Sequence, residues 1–330
     1  MSASPLYEQD VVELFIDEQG DGSNYIELEV SPHNVVFDAL IHNNGDGSEL
    51  KADVTWQLEG DASIADCIQT AKQAGFEGIE LSLNGEGELS LSATDQEVRD
   101  IQGRLEEAGL EIAGLATGLY WDYPMTSARP EIRTKALDVC KKQLELASAF
   151  GVDTILVIPG AVGVDFIPDS EVTDYEVAYE RAQEAIAHLL PYAERAGVSI
   201  GIENVWNKFL VSPLELRTFI DSFNSNYIGS YLDVGNVVQN GYPEQWVRIL
   251  GHRIKKVHFK DYRRQAGGLH GFVDLLAGDV NYPAVMEALQ AIGYDNYVTA
   301  EMIPPYTHHS KQIIFNTSKA MDAILGRSQE

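Results

Sequence analysis

From residue 51 onward the chain alternates short apolar runs with stretches of helical periodicity. ADVTW (52–56) precedes SIADCIQTAKQAGF, GIELSL (78–83) precedes TDQEVRDIQGRLEEAGL, and EIAGLAT (111–117) precedes a long loop and PEIRTKALDVCKKQLELASAFG. TILVIPG (154–160) leads into DYEVAYERAQEAIAHLLPYAERAG, VSIGIENV (198–205) into SPLELRTFIDSF, and IGSYLDVGN (228–236) into PEQWVRILGHR. IKKVHFKD (254–261) precedes NYPAVMEALQAIG, and YVTAEM (297–302) precedes a last helix near 309–325. Eight such βα units predict an α/β fold, a (β/α)8 TIM barrel over residues 51–330, at the size of about 250 residues usual for one. Its first strand is the least marked, because ADVTW holds no strong apolar run. Ser212 is placed to cap the helix that opens at Pro213, with Glu215 completing a capping box.

Residues 1–50 read differently, as an acidic, β-rich N-terminal extension. The first 62 residues hold fourteen Asp and Glu against a single basic residue, Lys51. VELFI (12–16), YIELEV (25–30) and VVFDALI (35–41) read as strands, and in the second Ile26, Leu28 and Val30 alternate with Glu27 and Glu29. DEQGDGSN (17–24) is the turn between the first two. VVELFIDEQGDGSNYIELEVSPHNVVFDALI resembles the strand-turn-strand core of family 9 carbohydrate-binding modules, over residues 10–56 only. A few strands alone are marginally stable, so this segment is expected to dock as a structural appendage on the remainder or on a second subunit. A homo-oligomer is therefore open.

Charge narrows the partners. The chain carries 51 acidic and 23 basic residues, a net charge of −28, which repels nucleic-acid backbones and anionic membranes. Cys67 and Cys140 fall in helical stretches and are expected to be buried free thiols. MSASPLYEQD lacks a basic region followed by an apolar run, and no apolar stretch approaches the roughly 18–20 residues of a membrane helix. A cytoplasmic protein acting on a small molecule is the expectation.

Barrel enzymes build their sites where strands end. The last four strands place Glu203 (SIGIENV), Asp233 (SYLDVGN), His258 (KKVHFKD) and Glu301 (VTAEM) at those ends. A lone Glu there is commonly a cap or ion-pair partner and a lone His a core residue, but four on successive strands aim at one point. Three carboxylates so close repel one another unless a cation sits among them. Two Glu, one Asp and one imidazole suit Mn²⁺, Co²⁺, Mg²⁺ or Zn²⁺.

GIELSLN, GIENVWNKF, YLDVGN, HFKDYRR and GDVNYPAVMEALQAIGYDNYVTAEM resemble the sugar phosphate isomerase/epimerase superfamily with a xylose isomerase-like barrel, in its ketose 3-epimerase branch. The resemblance covers the last 270 residues or so. It implies that Glu203, Asp233, His258 and Glu301 bind a divalent metal, typically Mn²⁺, and that Glu203 and Glu301 are also the catalytic acid/base pair. A metal held by O2 and O3 of a ketose would stabilise the enediolate left when C3 loses its proton, and a carboxylate on each face suits inversion there.

Asn236 stands where free-ketose relatives commonly carry histidine, so D-x-G-N points toward phosphosugars. Arg264 matches a substrate-binding arginine of the relatives. Lys260 is a candidate substrate contact or a flanking charge. Glu80 is a candidate for touching substrate or for a buried ion pair. In GLYWDYPMTS (118–127), Tyr120 and Trp121 are candidates for stacking on a sugar or for loop packing. The substrate expected is a sugar or sugar phosphate. The alternative reactions are aldose–ketose isomerisation of the hydroxypyruvate or hexulose-phosphate type, and a lyase or dehydratase step on a keto-sugar or inosose. Metal-dependent cleavage of abasic DNA shares this barrel, but the net charge opposes it.

Overall fold

The computed structural model describes residues 12–16, 24–30, 36–42, 63–301, 306 and 308–327. The chain divides into two compact units, Met1–Gly60 and Asp61–Glu330. In the first, β1 (Val12–Ile16), β2 (Asn24–Val30) and β3 (Val36–His42) form an antiparallel sheet in that order. Ile16 pairs with Ile26, and Val30 with Val36. The three expected strands are present to within one residue. The expected turn at 17–24, apart from Asn24, and the expected first barrel strand ADVTW (52–56) lie outside the described residues.

The second unit begins with α1 (Ile64–Ala74), β4 (Gly78–Ser82), α2 (Asp95–Ala108), β5 (Glu111–Ala116), α3 (Leu119–Asp122), α4 (Pro130–Phe150) and β6 (Thr154–Val157). It continues with α5 (Tyr175–Ala196), β7 (Ser199–Glu203), α6 (Pro213–Asp221), β8 (Ile228–Asp233), α7 (Val234–Val237), α8 (Pro243–Leu250) and β9 (Ile254–Phe259). A short ribbon of β10 (Asp261–Tyr262) and β11 (Phe272–Val273) follows, then α9 (Tyr282–Ala291), β12 (Val298–Ala300) and α10 (Gln312–Ile324).

Seven strands pair in parallel in the order β4-β5-β6-β7-β8-β9-β12. Neighbours in space are neighbours in sequence with helices between them, which is the progression of a TIM barrel. The sheet is nearly closed. Between its two edges, β4 and β12, lies a cleft of about 780 Å³ whose lining includes Ile79, Val298, Ile313 and Met321.

Burial explains the apolar runs. Thr154–Val157 and Ile228–Asp233 are buried at every position, as expected of parallel strands covered on both faces. Ala178, Ala182, Ile186 and Leu189 turn one stripe of α5 into the core, together with Ile200, Ile202 and Leu232 of the sheet. At the C-termini of α4 and α5, Gly151 (φ 76°) and Gly197 (φ 68°) take the left-handed conformation that ends a helix at little steric cost.

Two local expectations change. Ser212 accepts the Glu215 N–H at 3.2 Å as its cap, but the Glu215 carboxylate turns to the Tyr175 hydroxyl, 2.7 Å away, instead of closing the box. Cys140 is buried as expected and burial pushes its thiol up to about 12, whereas Cys67 is exposed. Cys67 lies on the exposed side of α1, next to buried Ile68.

Candidate active site

Strand register brings the four expected ligands to one level. Glu203 closes β7 and pairs with Tyr231, and Asp233 closes β8 opposite His258 of β9. Glu301 follows β12 directly and its N–H donates to the Phe259 carbonyl at 3.0 Å. Ligand atoms of Glu203, Asp233, His258 and Glu301 all lie within 4.8 Å of one another.

His258 Nδ1 is the hub, 2.9 Å from Glu301 Oε2 and 3.5 Å from Glu203 Oε1. Its other nitrogen, Nε2, lies 2.9 Å from Glu80 Oε1. The Lys260 ammonium sits 3.0 Å from Asp233 Oδ2 and 2.9 Å from Glu301 Oε2. Glu301 is the open side of the cluster, with its side chain 40% exposed against 6% or less for the other three ligands.

Burial pushes Glu203 up to about 7, with the Glu301 charge adding to the rise and His258 opposing it. Burial raises Asp233 as well, against the pull of Lys260. At Glu301 burial acts in the same sense, but Lys260 and His258 prevail and hold it well below the usual carboxylate range. For His258 burial favours the neutral ring, yet the Glu80 charge and the contacts with Glu203, Glu301 and Glu80 raise it far above the ordinary imidazole value.

These residues fit a divalent cation. Among the described residues, Asp233 Oδ2, His258 Nδ1 and Glu301 Oε2 are buried without a hydrogen-bond partner and face charged neighbours. A carboxylate-rich set with one imidazole is the donor chemistry of Mn²⁺, Co²⁺, Mg²⁺ and Zn²⁺, and the Lys260 ammonium takes the place of positive charge within it.

The remaining expected site residues are distributed unevenly. Lys260, 3% exposed, stands in the cluster itself. Glu80 reaches it from the far edge of the sheet, and both its oxygens are engaged, one by His258 and the other by the Tyr231 hydroxyl. Asn236 lies under Asp233: its N–H donates to Asp233 Oδ1 at 2.7 Å and its side-chain amide to the Asn204 carbonyl at 3.0 Å. Arg264 is not brought into the cluster. Its guanidinium donates to the carbonyls of Val238 (2.8 Å) and Gly241 (3.2 Å) and lies over the Tyr242 ring. Trp121 packs edge-on against Phe166 at 5.3 Å, whereas Tyr120 is buried and donates to Gln143 at 2.8 Å, which removes it as a stacking platform.

Several residues escaped the sequence. Asn204 fixes Asp233 through both main-chain groups, its Oδ1 accepting the Asp233 N–H and its Nδ2 donating to the Asp233 carbonyl, each at 2.9 Å. Tyr231 lies two residues before Asp233, on the same face of β8 by strand alternation, and that spacing was signal enough. Trp206 stacks on Phe272 at 4.8 Å and meets Tyr262 edge-on at 5.1 Å, and Lys260 Nζ lies 5.2 Å from the Phe272 ring centroid. This aromatic wall depends on the β10/β11 ribbon, which periodicity did not reveal. The ribbon is organised by Asp261, whose carboxylate accepts N–H groups from Tyr262, Leu276, Gly278 and Val280 at 2.8–3.1 Å.

A nearly closed parallel sheet, seven-stranded among the described residues, with a carboxylate-histidine cluster at its strand ends defines the class, and the chain belongs to the xylose isomerase-like TIM barrel family, whose sequence profile matches residues 68–322. Within it, SgbU of Escherichia coli strain K12 is 24% identical over 288 residues, covering 83% of this chain and 94% of its own. The L-ribulose-5-phosphate 3-epimerase UlaE of Escherichia coli O1:K1 is 22% identical over 273 residues, covering 79% and 88%. Among solved structures, D-psicose 3-epimerase from Clostridium cellulolyticum H10 shares the fold with a TM-score of 0.65. It is 16% identical, over 82% of this chain and 94% of that one.

Proposed function

We propose that the protein is a divalent-metal-dependent 3-epimerase of a ketose or ketose phosphate. The observation that carries this reading is the placing of two carboxylates, Glu203 and Glu301, within 3.5 Å of the same His258 nitrogen. The names of UlaE and of the psicose epimerase point to the same chemistry in relatives. Glu203, Asp233, His258 and Glu301 would hold the cation, most simply Mn²⁺. When bound, it supplies a Lewis acid for the negative charge that grows on the sugar oxygens as a proton leaves carbon.

The chain's own residues supply the proton traffic. Glu301 takes the C3 proton in one direction, and Glu203 returns one to the opposite face. In the reverse direction the two exchange roles. Asn204 and the Asn236 N–H hold Asp233 in place, and the Trp206–Phe272 wall beside Lys260 gives a sugar an apolar face to pack on. The N-terminal strands act as a structural appendage rather than as a sugar-binding module.

Incubation with Mn²⁺ and a panel of ketoses and ketose phosphates in D₂O tests this. Deuterium at C3 with an inverted product is expected. Label confined to C1 or C2 would assign an aldose–ketose isomerase, and loss of water or of a glycosyl group would assign a dehydratase or lyase.

A further inference from the structure

We propose that Glu80 and Tyr231 form a positioning pair that locks the His258 ring from behind, so that Nδ1 alone faces the carboxylate cluster. Glu80 Oε1 lies 2.9 Å from His258 Nε2, and Glu80 Oε2 accepts the hydroxyl of Tyr231. The Tyr231 ring in turn packs edge-on against the imidazole, with centroids 4.8 Å apart. Tyr231 and His258 are 0% and 2% exposed. Residues from β4, β8 and β9 thus meet inside the barrel, across 178 positions of sequence in the case of Glu80 and His258.

The barrel interior is shaped around this pair. A Cβ at Gly114 of β5 would run into the Tyr231 hydroxyl and Glu80 Oε2, and one at Gly201 of β7 would come within 2.9 Å of Tyr231 Cδ2. Burying a carboxylate and a phenol at the centre of a barrel costs free energy unless both are paired. The pairing found here is directional. A cation takes the neutral imidazole, which carries one N–H; bonding it to Glu80 would put that hydrogen on Nε2 and leave the Nδ1 lone pair for the cation. Glu80 is therefore a positioning residue that acts through His258, and the role rests on the reading of the cluster as a cation site.

Calorimetric titration with Mn²⁺ of the wild type and of E80Q, E80A and Y231F tests the pair. E80A is expected to raise the dissociation constant roughly 10–100-fold, the usual effect of removing the carboxylate behind a ligating histidine. E80Q, which keeps an acceptor for Nε2–H, should lose less and carries the test if E80A does not fold. In the Zn²⁺-loaded wild type, the His258 Nε2–H should give a slowly exchanging resonance in a ¹H–¹⁵N spectrum, and E80A should lose it. A purely structural role would lower thermal midpoints yet leave affinity and that resonance intact, which overturns the proposal. Failure of the wild type to bind any divalent cation overturns the metal reading and this inference with it; wild-type binding with unchanged E80A and E80Q affinities overturns this inference alone.

Discussion

Replacing Lys260 by Met removes an ammonium that lies about 3 Å from two carboxylates, Asp233 Oδ2 at 3.0 Å and Glu301 Oε2 at 2.9 Å. The Asp233–Lys260 pair is sealed from water, with side chains 0% and 4% exposed, whereas Glu301 at 40% is partly screened. Most of the effect therefore falls on Asp233. Removing one partner of a buried ion pair costs about 3–5 kcal/mol, because the other charge stays buried and uncompensated. At roughly 2 °C per kcal/mol for a unit of this size, the melting midpoint in EDTA should fall by about 6–10 °C. Saturating Mn²⁺ should recover most of that loss, since a cation among the same oxygens supplies the missing positive charge, and the Mn²⁺-induced rise should exceed that of the wild type. Differential scanning calorimetry with and without metal reads both quantities. A K260M midpoint equal to wild type in EDTA, or a Mn²⁺-induced rise no larger than wild type, would refute the argument that Lys260 neutralises this cluster.

pH offers a second handle. Burial raises the Glu203 carboxyl to about 7 in the metal-free protein, so its ionisation costs stability that is fully present below the unfolded carboxylate range and is lost as pH rises through about 7. Cation binding requires the ionised form, so Mn²⁺ affinity should rise from pH 5.5 to 7.5 with proton release, and calorimetry in buffers of different ionisation enthalpy counts the protons. Asp261→Ala removes the acceptor of four backbone N–H groups. It should cost about 1–3 kcal/mol and, by loosening the Phe272 wall, raise KM more than it lowers kcat. Equal effects on both would detach the ribbon from substrate binding.

How much of this was legible in the sequence depends on the range of the interaction. The strands from GIELSL to YVTAEM were legible because each is a short apolar run bounded by helical periodicity, and burial at both faces is what writes such a run. The four clustered residues were legible for the same reason, since each interrupts an apolar strand at its end. Asn236 and Lys260 could be placed near the site by sequence distance from Asp233 and His258, but their partners could not. Glu80 was expected to touch substrate or to form a buried ion pair, but its partner, His258, was not legible because the contact crosses the barrel. The Trp206–Phe272 wall stayed hidden because it needs a ribbon of two-residue strands, held by one carboxylate and bearing no periodicity. Arg264 was singled out by its match to a substrate-binding arginine of the relatives, but its guanidinium contacts with the carbonyls of Val238 and Gly241 were not legible from that match.

In the proposed mechanism Glu203 and Glu301 work as two bases on opposite faces of one carbon. The most direct measurement is C3 deuterium incorporation in D₂O by E203Q and E301Q at saturating Mn²⁺, starting from each epimer in turn. Both variants should lose net epimerisation by roughly 10²–10⁴-fold, while each still exchanges the C3 proton of only one epimer, the one whose proton faces the carboxylate that remains, without inversion. Equal exchange of both epimers in each variant, or epimerisation undiminished in either, would contradict it.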